Sequence, residues 1–351
     1  MLHLRSRAIA RPSAWENVQE KQGYTPKYAT IGHRVLDEDK QAERFPESIY
    51  QRLDNVIESV AKASINVNCS TIEEARATLT EIEDVVRVAN FACSIPYYLM
   101  HSFSDGLFQK PLDQNLIGTP ENSLRDAHMI AHRDETFSHV DCDLGTLLYL
   151  SIGEVLGIPL QMSEIPKHNF VRWRLGNGNH INWDTNYGFN IFTDAGYAAR
   201  YGVEQEQINN SGYLADLNVE NTHGYFCFVR GLTFQRQDRL PEAIAEYRAG
   251  ITKYPKSPSA RNNIAWQFVS KKSVRTIVSK EEALILALEA CTLHRTDNNL
   301  DTLACVFAEH GDFASAIATE QEAYALNQNP SYLKMIEAFK AGKTWLDINQ
   351  Q

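Results

Sequence analysis

Three residue types that together carry out thiol acyl transfer follow one another between positions 142 and 184: Cys142, His168 and Asp184. A helix start lowers a thiol pKa, a neighbouring imidazole can take the thiol proton, and a carboxylate can hold that imidazole in one tautomer. In this scheme Cys142 attacks a carboxamide or acyl carbon. His168 accepts the thiol proton and later returns it to the leaving amine, and Asp184 accepts the other imidazole N–H. Asp141 and Asp143 flank the cysteine and oppose a thiolate, while the helix start favours one. The Cys142 backbone N–H is the candidate oxyanion donor, because a helix start presents free donors. Asn182 and Trp183 are candidates to line the site, with strand packing as the alternative for each. Arg172 and Arg174 share the His168 face and are candidates to meet a carboxylate-bearing substrate, with ion pairs inside the protein as the alternative.

The elements around these residues decide whether they meet. Residues 142–157 read as a strongly apolar helix closed by Gly157 and Pro159. His168 opens the alternating run His-Asn-Phe-Val-Arg-Trp-Arg, and Asp184 closes the run His-Ile-Asn-Trp-Asp. Both read as strands, joined by the glycine-rich turn 175–179. A two-residue loop at 177–178 would pair Val171 with Asp184 and put the carboxylate on the wrong face. A three-residue loop, Gly176 to Gly178, pairs Phe170 with Asp184 and sets the carboxylate diagonally from His168 on one face. A working triad therefore predicts an odd-length turn or an equivalent bulge.

Before this core, residues 1–40 read as a polar, irregular arm. Ile49, Leu53, Ile57 and Val60 mark a helix within 41–63, and Thr71 with Glu74 makes a capping box for a second over 72–92. Residues 93–140, broken by Pro96, Pro111 and Pro120, read as short helices and loops, and 188–220 as loop and short helix. From 221 the texture changes to helix pairs repeating at about 34 residues. Gly231, Phe234, Ala243, Tyr247, Gly250 and Pro255 fall at the small and aromatic positions of a tetratricopeptide repeat over 224–257. Asn263, Ala265, Ala283 and Ala290 mark a middle unit with an extended turn at 271–278. Ala304, Ala316, Ala323 and Pro330 mark a third over 297–330, and 331–342 would cap the array. The expected organisation is thus an arm (1–40), a helical segment plus α+β core (41–220), and repeats with a capping helix (221–351).

With 351 residues, 43% hydrophobic and 22% charged, the chain is long enough for two or three domains. A net charge of −10 argues against a general nucleic-acid binder. No apolar run approaches the ~20 residues of a membrane span, and the N-terminus lacks the apolar core of a secretory signal. The six cysteines are scattered without a CxxC pair, which predicts free thiols in a reducing cytoplasm and neither a zinc site nor a disulfide framework. His128 and His132 are spaced i,i+4 but have no third ligand nearby, and His139 lies just before Cys142.

Four motifs in order, Cys-Asp-Leu-Gly-Thr-Leu-Leu-Tyr-Leu (142–150), Gly-Ile-Pro-Leu (157–160), Pro-Lys-His-Asn-Phe-Val-Arg-Trp (166–173) and Asn-Trp-Asp-Thr-Asn-Tyr-Gly (182–188), resemble the transglutaminase-like superfamily, specifically its bacterial SirB-type branch. That branch commonly carries a helical segment before the domain and tetratricopeptide repeats after it. The resemblance implies a cysteine-protease-like α+β core with Cys142, His168 and Asp184 at the triad positions, and no cofactor. Calcium is not expected, since no acidic calcium loop is evident. The expected function is a thiol-dependent hydrolase or acyltransferase acting on a peptide or protein, with the repeats presenting a surface to a partner. The alternative is an adaptor that works through its repeats and carries a relic triad. A cover of Phe103, Phe108 or the 105–125 loop over Cys142 would favour the adaptor.

Overall fold

The computed structural model describes residues 24–92, 102–111, 131–186 and 192–349. It divides into two units. Among the described residues, one takes those up to Val203 together with Tyr213–Val219, and the other takes Glu204–Gly212 and those from Glu220 on. The architecture is α+β, mostly helical with two three-stranded sheets.

The first helix among the described residues of this unit is α1 (Ile31–Asp39), so the expected irregular arm does not run through residue 40. Ile31, Val35 and Leu36 form a buried stripe at helical spacing, and such a stripe must be covered. α2 (Ser48–Lys62) buries Ile49, Leu53, Ile57 and Val60 as the periodicity predicts. α3 (Ile72–Val88) starts at the Thr71–Glu74 capping box. Among the described residues between 91 and 139, α4 (Phe103–Leu107) is a short helix as expected, and the strands are not expected. β1 (Phe91–Ala92), β2 (Gln109–Pro111) and β3 (Thr136–His139) form a small sheet in the order β1-β3-β2. Pro111 ends an edge strand, where a missing N–H is tolerated, and Pro96 and Pro120 lie outside the described residues.

α5 (Cys142–Leu156) runs through the centre of this unit. Asp141 caps its start, Leu144 N–H donating to Asp141 Oδ1 at 3.1 Å, and Gly157 closes it at φ 73°. α5 packs against α1, α2 and the strands that follow. β4 (Leu160–Ile165), β5 (His168–Arg174) and β6 (His180–Trp183) form an antiparallel sheet in that order. Pro166 and Lys167 turn β4 into β5. Proline at the second position and Lys167 at φ 65° are the signature of a type II turn. The β5–β6 turn is the three-residue one: Leu175 N–H donates to Asn179 O at 2.8 Å, and Gly178 takes φ 86°. The register Val171↔Trp183 and Arg172↔Asn182 then sets Phe170 opposite Asp184. α6 (Asp194–Tyr201) follows. Residues 214–217 return along the outer edge of β4, with Leu214 N–H on Glu164 O and Leu217 N–H on Met162 O, both at 2.9 Å.

The second unit comprises α7 (Gln205–Asn210), α8 (Val219–Arg236), α9 (Leu240–Lys253), α10 (Ser259–Ser270), a 3₁₀ turn (Lys272–Thr276), α11 (Lys280–Leu293), α12 (Asp297–Glu309), α13 (Phe313–Leu326), α14 (Pro330–Lys340) and α15 (Trp345–Asn349). From α9 to α14 each helix packs on the next, and α10 also meets α12. The small residues Ala243, Ala265, Ala283, Ala290, Ala304, Ala316 and Ala323 are buried, and Gly231 leaves room for the Tyr247 ring. The 3₁₀ segment lies where an extended turn is expected at 271–278, and α14 where a helix is expected at 331–342. The boundary expected at 220 is corrected: α7 goes with the later helices, and 213–219 goes back to the first unit. Among the described residues no helix is long and apolar enough to cross a membrane.

Candidate active site

Cys142 is the first residue of α5 and His168 the first of β5, and the helix and strand pack together. The Cys142 sulfur accepts a hydrogen bond from the backbone N–H of Asn169, the residue after His168. Gly145, one turn along α5, is glycine because the Thr185 hydroxyl stands 2.7 Å from where a Cβ would be. The helix start is thereby drawn against the residue that follows Asp184. His168 Nε2 lies 2.7 Å from Asp184 Oδ2, both side chains buried. Asp184 is itself fixed: Tyr197 Oη donates to Oδ2 at 3.1 Å and Asn186 N–H donates to Oδ1 at 3.1 Å. Holding Nε2 in this way leaves Nδ1 as the ring nitrogen for a thiol proton.

α6 covers the His168 face. Tyr197 stacks on Phe170 with centroids 4.1 Å apart and planes at 1°, and Tyr201 stacks on His168 at 5.6 Å and 10°. Burial, with Asp184 next, pushes the Tyr201 phenol up to about 12. Neither tyrosine is singled out by the sequence. The only signal for them is their spacing, i and i+4 on a short helix that begins at an N-cap, Thr193.

The electrostatics of the thiol reverse the expectation of a lowered pKa. Burial first, then Asp143 and Asp141, push Cys142 well above the ordinary thiol range, and the helix start does not offset them. Asp143 Oδ1 receives the Asn169 side-chain amide and lies 3.8 Å from Cys142 Sγ. Asp141 is pushed up by burial and by Asp143. Its carboxylate takes the Leu144 and Asp143 N–H groups, so the Cys142 N–H is the first-turn donor that this cap does not use.

The proposed lining residues have other work. Arg172, expected to meet substrate, is fully buried. Nε donates to Asn182 Oδ1 (2.9 Å), Nη1 to Leu214 O (2.7 Å) and Asp216 Oδ1 (2.9 Å), and Nη2 to Asp194 Oδ1 (2.5 Å). A buried guanidinium must be satisfied, and β5 is buried on both faces except at Arg174, so Arg172 clamps α6 and the 214–216 segment to the sheet. Arg174 also pairs with Asp216. Asn182 belongs to the same clamp, Nδ2 donating to Asp194 Oδ1 at 2.8 Å. Trp183 is buried on the opposite face, across from Val171. Arg172 and Asn182 thus hold the elements around the site together, and Trp183 lies on the other face of the sheet.

Matches were sought among family models, curated proteins and solved structures. None was found. Phe103 packs against Gly32 of α1, and residues 112–125 of the expected cover lie outside the described residues, as does His128. His132 pairs with Glu135 at 2.9 Å, and His139 is buried at the end of β3. Cys69, Cys142, Cys227, Cys291 and Cys305 are free thiols, and Cys93 lies outside the described residues.

Proposed function

We propose that the chain is a transglutaminase-like thiol acyl-transfer enzyme acting on an amide of a peptide or protein. The observation that carries this reading is the 2.7 Å His168–Asp184 hydrogen bond beside a cysteine at a helix start. Because burial, with Asp143 and Asp141, disfavours a resting thiolate, the thiol keeps its proton until attack. Sulfur then bonds to the acyl carbon as the S–H proton passes to His168 Nδ1. The Cys142 N–H faces the developing oxyanion, and the imidazolium, steadied by Asp184, protonates the leaving amine. Water or a second amine cleaves the thioester and regenerates the thiol.

The test is acylation by an activated ester such as p-nitrophenyl acetate, read by mass spectrometry. A covalent acetyl group on Cys142 is expected in the wild type and should be lost in Cys142→Ala. Asp184→Asn should slow it by about 100-fold or more. Equal acylation of Cys142 in the wild type and His168→Ala would sink the reading. The raised thiol favours a second one, a partner-binding protein that does not use its triad, and that result would select it.

A further inference from the structure

α10 buries Ala260, Ile264, Ala265, Phe268 and Val269 among the neighbouring helices. Ser259, Asn263, Trp266 and Ser270, spaced four, three and four apart, form a half-exposed stripe on another face. The chain itself comes back to this helix. α14 ends in a sharp turn at Gly342, which takes φ 67°, with Gly342 N–H on Phe339 O and Lys343 N–H on Ala338 O, both at 3.0 Å. The next segment passes beyond α12 and α13 to lie against α10, two helix pairs back, while still touching α14. There the Trp345 ring meets Trp266 edge to face, 5.4 Å between centroids at 74°, and Leu346 is buried. Asp347 holds the short helix at its start through Thr344, and Lys343 and the 3₁₀-turn residue Lys272 lie close to its carboxylate.

A five-residue helix has no stability of its own in water, so its two apolar anchors hold it in place. We propose that this face of α10 is a docking site for a short peptide bearing an aromatic–aliphatic pair followed by an acidic residue, and that Lys343–Asn349 of the chain occupies it as an internal competitor. Trp266 offers the aromatic edge, the second anchor fills the place of Leu346, and Lys272 meets the carboxylate. The tether gives the internal segment a high effective concentration, so a partner reaches the face only with stronger anchors. This inference does not rest on the thiol chemistry.

The probe is a fluorescein-labelled peptide with the sequence of Gly342–Asn349, titrated by anisotropy into full-length chain. Trp345→Ala with Leu346→Ala empties the face, and the peptide should bind this variant roughly tenfold or more tighter than the wild type. Adding Trp266→Ala to the double variant should return binding to the wild-type level. Equal affinity for the wild type and the double variant, or a gain that survives Trp266→Ala, overturns the proposal. If circular dichroism shows the double variant unfolded, Leu346→Ala alone is used. It should bind about threefold tighter than the wild type, and no gain overturns the proposal equally.

Discussion

At Cys142 the balance of forces is unusual, because two carboxylates oppose the charge that the helix start favours. Asp143→Asn removes one of the causes that raise the thiol and leaves burial in place. The thiol should titrate lower, and iodoacetamide alkylation at pH 7 should quicken with the thiolate fraction, by ~10-fold if the midpoint falls by one pH unit. Asp184 is a separate matter, since Tyr197 shares its Oδ2 with His168. Tyr197→Phe keeps the stacked ring and deletes one hydrogen bond. Urea denaturation should show a loss of about 1 kcal/mol, and Cys142 acylation should slow because the imidazole is held less firmly. Much of this geometry is legible in the sequence: residue order names the three groups, and face counting demands the three-residue turn at Gly176–Gly178. Arg172 is not, because alternation gives a side chain's face and says nothing of whether that face is covered. Tyr197 and Tyr201 escape notice because they reach the site only through the docking of α6, which no local pattern encodes.

Among the elements, α5 depends on close approach at its start. Gly145 sits against Thr185, so Gly145→Ala should overpack the helix start and destabilise by about 1–3 kcal/mol in urea. Thr185→Ala in the same chain should recover part of that loss. α12 and α13 carry a different strain, since Asp301 and Glu320 bring two carboxyls together in a buried interior. Burial pushes Asp301 up, and burial with Asp301 beside it pushes Glu320 up. The folded state therefore holds protons that the unfolded chain releases near pH 4. The stability they contribute is present in full below that pH and is lost as pH climbs toward the folded values. Glu320→Gln should flatten this decline, with a higher urea midpoint at pH 8 and a smaller difference between pH 5 and pH 8. Helix boundaries here are legible from caps and small-residue spacing. The short strands β1 to β3 are not, because two to four residues are too few to display a period.

For the molecule as a whole, the expectation is one break at 220, whereas among the described residues the chain changes unit at Glu204, Tyr213 and Glu220. The run Tyr213–Val219 carries no strand pattern, and its place is shown by the hydrogen bonds of Leu214 and Leu217 to β4 together with the contacts of Arg172 and Arg174 to Leu214 and Asp216. Among the described residues the chain passes from one unit to the other at 203/204, 212/213 and 219/220. A fragment ending at Val203 would lose Leu214 and Asp216, two of the acceptors that clamp Arg172, and should melt lower than one ending at Val219 by circular dichroism. The same threefold passage bears on how such a gene can diversify. A single recombination point that exchanged the later helices would carry off either α7 or the ribbon along β4. A cassette exchange at any one of these points would therefore leave one unit short of a piece that the chain supplies from the other side of the junction.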